Sequence, residues 1–232
     1  MNIAIVLSGG TGSRIGSEIP KQYIEVGGKI VISYCLLSLF RHKNIDGVVI
    51  VANSAYHRLI EEAISREIGE ESNSKFFGFA LPGANRQLSI YNGLLYLKDK
   101  VSEGDVVLIH DAARPNLTEI MISKCLSEIE GYDGVLPVLP MKDTVYMSED
   151  GQSISSLIDR NTIYAGQAPE AFIYGKYLIA NEKLRPDKIM EIKGSTEPAI
   201  LNNMSIRMIE GDEHNYKITT ITDLEKFRSE IE

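Results

Sequence analysis

The chain has 232 residues, 44% of them hydrophobic and 24% charged, which suits one globular unit with a substantial core. Its 24 Lys and Arg against 32 Asp and Glu give a formal net charge of -8, which excludes a protein whose task is to coat nucleic acid. No apolar run approaches the roughly 18 residues that cross a bilayer. The start, Met1-Asn2-Ile3-Ala4-Ile5, lacks a basic signal-peptide region, and Cys35 and Cys125 lack metal-ligand spacing. A cytoplasmic protein with two buried thiols and no membrane or nucleic-acid partner is expected.

In chain order, residues 3–7 form a short apolar run that stops at Ser8-Gly9-Gly10. Residues 32–40 carry Leu36, Leu37 and Phe40 at helical spacing. Residues 47–52 hold a second Val- and Ile-rich run. Residues 59–68 show Leu59, Ile60, Ala63, Ile64 and Ile68 as one helical stripe. Residues 88–97 and 120–129 repeat the helical pattern, and 106–109 and 135–138 repeat the apolar run. Short continuous apolar runs fit strands covered on both faces. Strands alternating with helices predict an α/β fold with a doubly wound, mostly parallel sheet. Residues 140–160 break the rhythm, with two extended runs around Asp150-Gly151, and predict a β-hairpin projecting as an arm. Thr222-Asp223-Leu224-Glu225 reads as a capping box that opens a last helix. The chain is read as a single domain, 1–232, with that arm.

The loop after the first strand, Ser8-Gly9-Gly10-Thr11-Gly12-Ser13-Arg14-Ile15-Gly16, is built of small residues whose backbone N–H groups can close on a polyphosphate. Arg14 adds a planar cation matched to phosphate oxygens, and Lys21 can add another. A dinucleotide fingerprint starting at Gly10 and Gly12 needs a third glycine where Ile15 stands, and a Walker A sequence is absent. A tight strand-to-helix turn without a ligand is the plainer alternative.

Asp111, in His110-Asp111-Ala112-Ala113-Arg114-Pro115, ends a predicted strand, where open α/β sheets bind ligands. A carboxylate there can hold Mg²⁺ against phosphate oxygens. It could instead cap the following turn, paired with Arg114. Arg86 and Ser89 stand where a loop enters a helix, Arg160 closes the arm, and Lys217 precedes the last helix. Basic residues at the edges of several elements, on an acidic chain, suit a polyanionic substrate.

Taken in order, these motifs resemble one family. Gly10-x-Gly12-x-Arg14, Pro20-Lys21-Gln22-Tyr23, Arg86-x-x-Ser89, His110 to Pro115, Asp143-Thr144, Asp159-Arg160 and Lys217-Ile218-Thr219 follow the pattern of the cytidylyltransferases acting on 2-C-methyl-D-erythritol 4-phosphate or ribitol 5-phosphate. The resemblance runs from residue 3 to about residue 225 and implies a Rossmann-like nucleotidyltransferase using CTP and a divalent cation such as Mg²⁺. It implies that Ser8, Gly9, Gly10, Thr11, Gly12 and Ser13 wrap CTP. Gly83, Arg86 and Ser89 would help to hold the nucleotide. Arg14, Lys21 and Lys217 would serve catalysis at the α-phosphate, and Asp111 would bind the metal. A homodimer formed through the arm would place Thr144 and Arg160 against the acceptor in the partner's site, with Arg114 lining the same pocket.

The chain departs from the family pattern in places. Pro82-Gly83 stands for a frequent Gly-Gly, His214 for a frequent Asp, Gln167-Ala168-Pro169-Glu170 for Gln-Thr-Pro-Gln, and Thr196-Glu197-Pro198-Ala199 carries a proline. Leu7-Ser8-Gly9-Gly10 and Tyr164-Ala165-Gly166-Gln167 look more like the ribitol phosphate enzymes. His110 to Pro115 and Asp159-Arg160-Asn161 look more like the methylerythritol phosphate enzymes, which remain the alternative. A non-catalytic nucleotide-binding module and a dinucleotide-dependent oxidoreductase are the readings from other classes.

Overall fold

The computed structural model describes residues 1–10 and 19–231. In chain order the strands are β1 (Asn2–Leu7), β2 (Glu25–Val26), β3 (Lys29–Ile30), β4 (Gly47–Val51), β5 (Phe76–Ala80), β6 (Val106–Asp111), β7 (Gly134–Pro140), β8 (Val145–Met147), β9 (Ser156–Ile158), β10 (Tyr164–Gly166), β11 (Glu170–Ile173) and β12 (Ile206–Glu210). The α-helices are α1 (Val31–Arg41), α2 (His57–Glu67), α3 (Ser72–Lys75), α4 (Arg86–Tyr96), α5 (Glu119–Ser127), α6 (Tyr174–Glu182), α7 (Glu197–Leu201) and α8 (Ile221–Ile231).

The main sheet runs β10-β7-β11-β6-β1-β4-β5, with β12 on the other edge of β7. The β6-β1-β4-β5 block is parallel throughout, and β11 and β10 are the antiparallel insertions. Successive side chains on a strand point to opposite faces, so each buried strand feeds two cores. Ala4, Val6, Val48 and Ile50 pack with Leu36, Phe40, Ile60 and Ile122 of α1, α2 and α5. Ile3, Ile5, Val49 and Val51 pack with Ile90, Leu94 and Tyr177 of α4 and α6. Helices therefore cover both faces of a mostly parallel sheet, as the sequence predicts. At Gly93 of α4 an added Cβ would meet Ile5 Cγ2 at 2.8 Å, so glycine lets that helix lie close on β1.

The first four predicted strands match β1, β4, β6 and β7. The last helix begins earlier than the sequence suggests. Its cap is Thr220, whose hydroxyl accepts from Asp223 N at 3.3 Å, while Asp223 Oδ2 accepts from Thr219 N and Thr220 N. The capping pair is therefore Thr220 with Asp223, not Thr222 with Glu225.

β8 and β9 pair antiparallel, Val145 opposite Ile158 and Tyr146 opposite Leu157, and among the described residues they pair with no other strand. Gly151 takes φ +70° in the turn, and Asp150 Oδ1 accepts from Gln152 N and Ser153 N. Tyr146, Met147, Ile154 and Leu157 are all exposed on this hairpin. Among the described residues no helix is long and apolar enough to cross a membrane.

Candidate active site

β1 pairs with β4 on one side and β6 on the other, so crossovers leave it in opposite directions. A crevice opens beyond such strand ends. Here it is a cleft of about 460 Å³, lined by Gly9 and Gly10, by Lys21 and Gln22, by residues 83–86 with Ser89, and by Asp111 and Lys217 among others.

The first wall follows β1. Ser8 N donates to Val51 O at 2.8 Å, extending the sheet by one residue. The turn at Lys21–Tyr23 then grips the loop. Gln22 Nε2 donates to Ser8 O and Gly10 O, both at 2.8 Å, and Tyr23 Oη donates to Ser8 O at 2.9 Å. Gln22 and Tyr23 are buried, whereas Lys21 reaches the cleft. Ser8 is itself buried, with its hydroxyl on Tyr23, so it supports the wall from behind. Thr11, Gly12, Ser13 and Arg14 lie outside the described residues.

The second wall is the loop into α4. Asn85 caps that helix, its Oδ1 accepting from Leu88 N at 2.7 Å, and its amide donates to Ile189 O at 2.9 Å. Ser89 Oγ accepts from Gly83 N at 3.0 Å and donates to Asn85 O at 2.9 Å. The Ser89 hydroxyl thus shapes the loop. The two walls touch: a Cβ at Gly9 would overlap Pro82 Cβ.

Asp111 is the floor, 7% exposed at the end of β6. Its Oδ1 accepts from Arg86 Nε at 3.1 Å and its Oδ2 from Lys217 Nζ at 2.9 Å, with Arg114 Nε 3.7 Å from Oδ2. Burial alone raises a carboxyl, yet these cations overcome it and hold Asp111 well below the usual carboxylate range. It is the one carboxylate lining the cleft among the described residues. Lys217 is delivered by its neighbour: Ile218 is fully buried and its N donates to Ala113 O at 2.8 Å.

Arg114 stands behind this floor. It is largely buried, donates Nη1 to Asn215 O at 2.6 Å, and is not a lining residue. His110 beside it is fully buried, and burial pushes its imidazole down to about 4. Its Nε2 lies 3.0 Å from Arg114 O, so that nitrogen carries the proton. Thr144 and Arg160 are exposed on the arm segment and are not lining residues, with Arg160 Nη1 donating to Lys142 O at 2.7 Å. Near Lys217, Asp212 accepts from His214 N at 2.8 Å and is not a lining residue. Reasoning from the sequence missed Gln22 as a clamp on residues 8–10. It also missed Glu170, buried behind Arg86; Gln167-Ala168-Pro169-Glu170 is the only signal that pointed there.

Comparison with known proteins identifies the family and the fold. The family model described as 2-C-methyl-D-erythritol 4-phosphate cytidylyltransferase matches residues 2–230. A ribitol-5-phosphate cytidylyltransferase of Lacticaseibacillus paracasei is 33% identical over 235 residues, covering 99% of this chain and 97% of that one. A 2-C-methyl-D-erythritol 4-phosphate cytidylyltransferase of Geobacter metallireducens is 32% identical, covering 95% and 93%. The crystal structure of 4-diphosphocytidyl-2C-methyl-D-erythritol synthase from Anaerococcus prevotii superposes with a TM-score of 0.81 at 23% identity, over 99% of this chain and 97% of that one.

Proposed function

The chain belongs to the 2-C-methyl-D-erythritol 4-phosphate cytidylyltransferase family, and from that premise we propose how its cleft transfers CMP from CTP to a polyol phosphate. The activity is CTP-dependent cytidylyl transfer, giving a CDP-polyol and pyrophosphate. A phosphate oxygen of the acceptor forms a bond to the α-phosphorus. The bond from that phosphorus to the bridging oxygen breaks, and the electron pair leaves on pyrophosphate. The attacking oxygen is already ionised, so no strong base is required. Alignment and cations facing the developing charge carry the rate.

Lys21 meets the triphosphate from the first wall and Lys217 from the floor, and Arg14 belongs with them by its place in the motif. Gly9 and Gly10 line the cleft, where backbone N–H groups suit a phosphate, whereas the Gly83 N–H is already held by Ser89 Oγ. A divalent cation such as Mg²⁺ fits here as an ion arriving with the nucleotide, because it takes one or two carboxylates and completes its shell with phosphate oxygens and water. Asp111, ionised and on the floor, would hold it, and the ion would supply charge neutralisation. The observation that carries the whole reading is Asp111 gathering Arg86 and Lys217 into one cleft.

For the acceptor we favour ribitol 5-phosphate or a close polyol phosphate. Support comes from the Lacticaseibacillus relative matched over nearly its full length, together with Leu7-Ser8-Gly9-Gly10 and Tyr164-Ala165-Gly166-Gln167. The near-equal identity of the Geobacter relative keeps methylerythritol phosphate as the second reading. The arm's exposed apolar residues suit a second copy of the chain, across which Thr144 and Arg160 would meet the acceptor and complete a homodimeric site. Incubation with CTP, Mg²⁺ and each acceptor in turn tests this. Pyrophosphate release fastest with ribitol 5-phosphate is expected. Binding of CTP with no release from any polyol phosphate would leave a nucleotide-binding module.

A further inference from the structure

Glu170 is the carboxylate that the transfer chemistry above leaves unused. It opens β11, is 7% exposed, and sits behind Arg86 without lining the cleft. Arg86 reaches past Asp111 toward it, with Nη2 3.8 Å from Glu170 Oε1. Ser195 Oγ donates to Oε1, and Thr196 Oγ1 donates to Oε2 at 3.1 Å. Burial raises the Glu170 carboxyl, and the Arg86 cation opposes that rise.

The residue after Arg86 is tied to the same region. Gln87 Nε2 donates to Asn181 Oδ1 at 2.5 Å and to Tyr177 Oη at 3.2 Å, and Tyr177 Oη donates to Ser195 O at 2.6 Å. The first turn of α4 is therefore held through the Gln87 side chain and through the Arg86 guanidinium facing Glu170.

We propose that Glu170 is a positioning residue that keeps the Arg86 guanidinium at the cleft when a bound nucleotide competes with Asp111 for the surrounding cations. Without nucleotide, Asp111 is shared among Arg86, Lys217 and Arg114. A triphosphate draws cations toward itself, so a contact to Asp111 alone would let Arg86 swing away from its place beside Gly83. Glu170 supplies a second anchor from outside the cleft. The same carboxylate also repels the triphosphate through its charge, an effect of opposite sign. Whether anchoring or repulsion dominates decides the role.

This inference rests on the nucleotide-binding reading of the cleft. Its test is a double-mutant cycle read by calorimetric titration of CTP, with no turnover required. Glu170→Gln is expected to weaken CTP binding about tenfold, the scale of one lost charge-assisted contact. In the Arg86→Met background the same change should have no weakening effect, because only the field of the carboxylate remains to be removed. Equal weakening in both backgrounds would make Glu170 a purely structural residue and overturn the proposal. Tighter binding with Arg86 present would do so too, by showing that repulsion dominates. Thermal melts check that the four proteins are folded. Should Glu170→Gln fail to fold, Ser195→Ala carries the same cycle, with weakening of the same sign expected only when Arg86 is present. A wild-type chain that does not bind CTP would instead sink the functional reading, and this inference with it.

Discussion

Lys217 Nζ lies 2.9 Å from Asp111 Oδ2, although 106 positions separate the two residues in the chain. Such a contact is a property of the fold, because the bonds from Ile218 N to Ala113 O and from Arg114 Nη1 to Asn215 O bring the two segments together. Asp111 is surrounded by cations, and removing a buried partner leaves the rest uncompensated. Asp111→Asn is therefore expected to lose about 3 kcal/mol of stability, read by urea unfolding without nucleotide, and to lose nearly all pyrophosphate release. An Asn that supports normal turnover would return Asp111 to the status of a turn cap.

Lys21 stands on the wall opposite that floor and faces the same cleft. A preorganised cation aimed at developing charge is worth about 10²–10³ in turnover. Lys21→Ala should lower turnover on that scale, while Gln22 and Tyr23 still hold residues 8–10. Single-turnover measurements at saturating CTP check this, and near-wild-type rates would remove Lys21 from catalysis.

The sequence carried the architecture well because β1, β4 and β6 are buried on both faces, and burial on both faces writes itself as unbroken Val and Ile. Strands such as β12, where Arg207, Met208 and Glu210 are exposed, leave no such trace and went unread. The candidate site was legible where a residue lines the cleft, as with Lys21, Asp111 and Lys217. It was not legible where a side chain acts on another side chain. Gln22 holding two backbone carbonyls, Ser89 shaping the Gly83 loop and Glu170 behind Arg86 are contacts between distant segments with no spacing rule.

Gly9 and Gly10 are adjacent yet should respond differently to the same change. A Cβ at Gly9 would overlap Pro82, whose ring cannot yield as a flexible side chain can, whereas a Cβ at Gly10 would meet nothing within 4 Å among the described residues. Overpacking of this kind costs about 1–3 kcal/mol. Gly9→Ala is expected to lower both stability and CTP affinity. Gly10→Ala should leave stability unchanged and lower affinity alone, since its methyl group enters the cleft. Paired melts and CTP titrations separate the two, and equal destabilisation would refute the close approach of the walls.

The arm offers a test of assembly. Leu157 is 67% exposed on β9, and Tyr146 opposite it is 55% exposed. If these side chains meet a second copy, Leu157→Asp places a charge in an apolar contact and should yield a monomer by light scattering. The monomer should melt as a folded protein and bind CTP, because the cleft is built without the arm. Its turnover should fall through a raised KM for the acceptor, which Arg160→Ala should reproduce in the dimer. A Leu157→Asp dimer with unchanged kinetics would sink the arm-mediated site.

The last expectation concerns acid. Burial pushes His110 down from its ordinary 6.5 to about 4, so between those values the unfolded chain binds the proton and the folded one does not. The His110 contribution to stability then rises with pH across that window. The His110 contribution is complete above 6.5, is lost as pH falls toward 4, and has a ceiling of about 3 kcal/mol. Glu170, raised by burial, works in the opposite sense from its ordinary 4.5 upward, and Asp111 changes only below its ordinary 3.8. The measured slope is thus a net one, and a variant must isolate the imidazole. His110→Gln keeps an amide that can donate to Arg114 O but cannot titrate. Urea unfolding at pH 5 and pH 7.5 should show the wild type losing more stability at the lower pH than the variant does. Equal losses would mean that the imidazole accepts its proton inside the fold, and that His110 is not the buried neutral support that the site requires beneath Asp111.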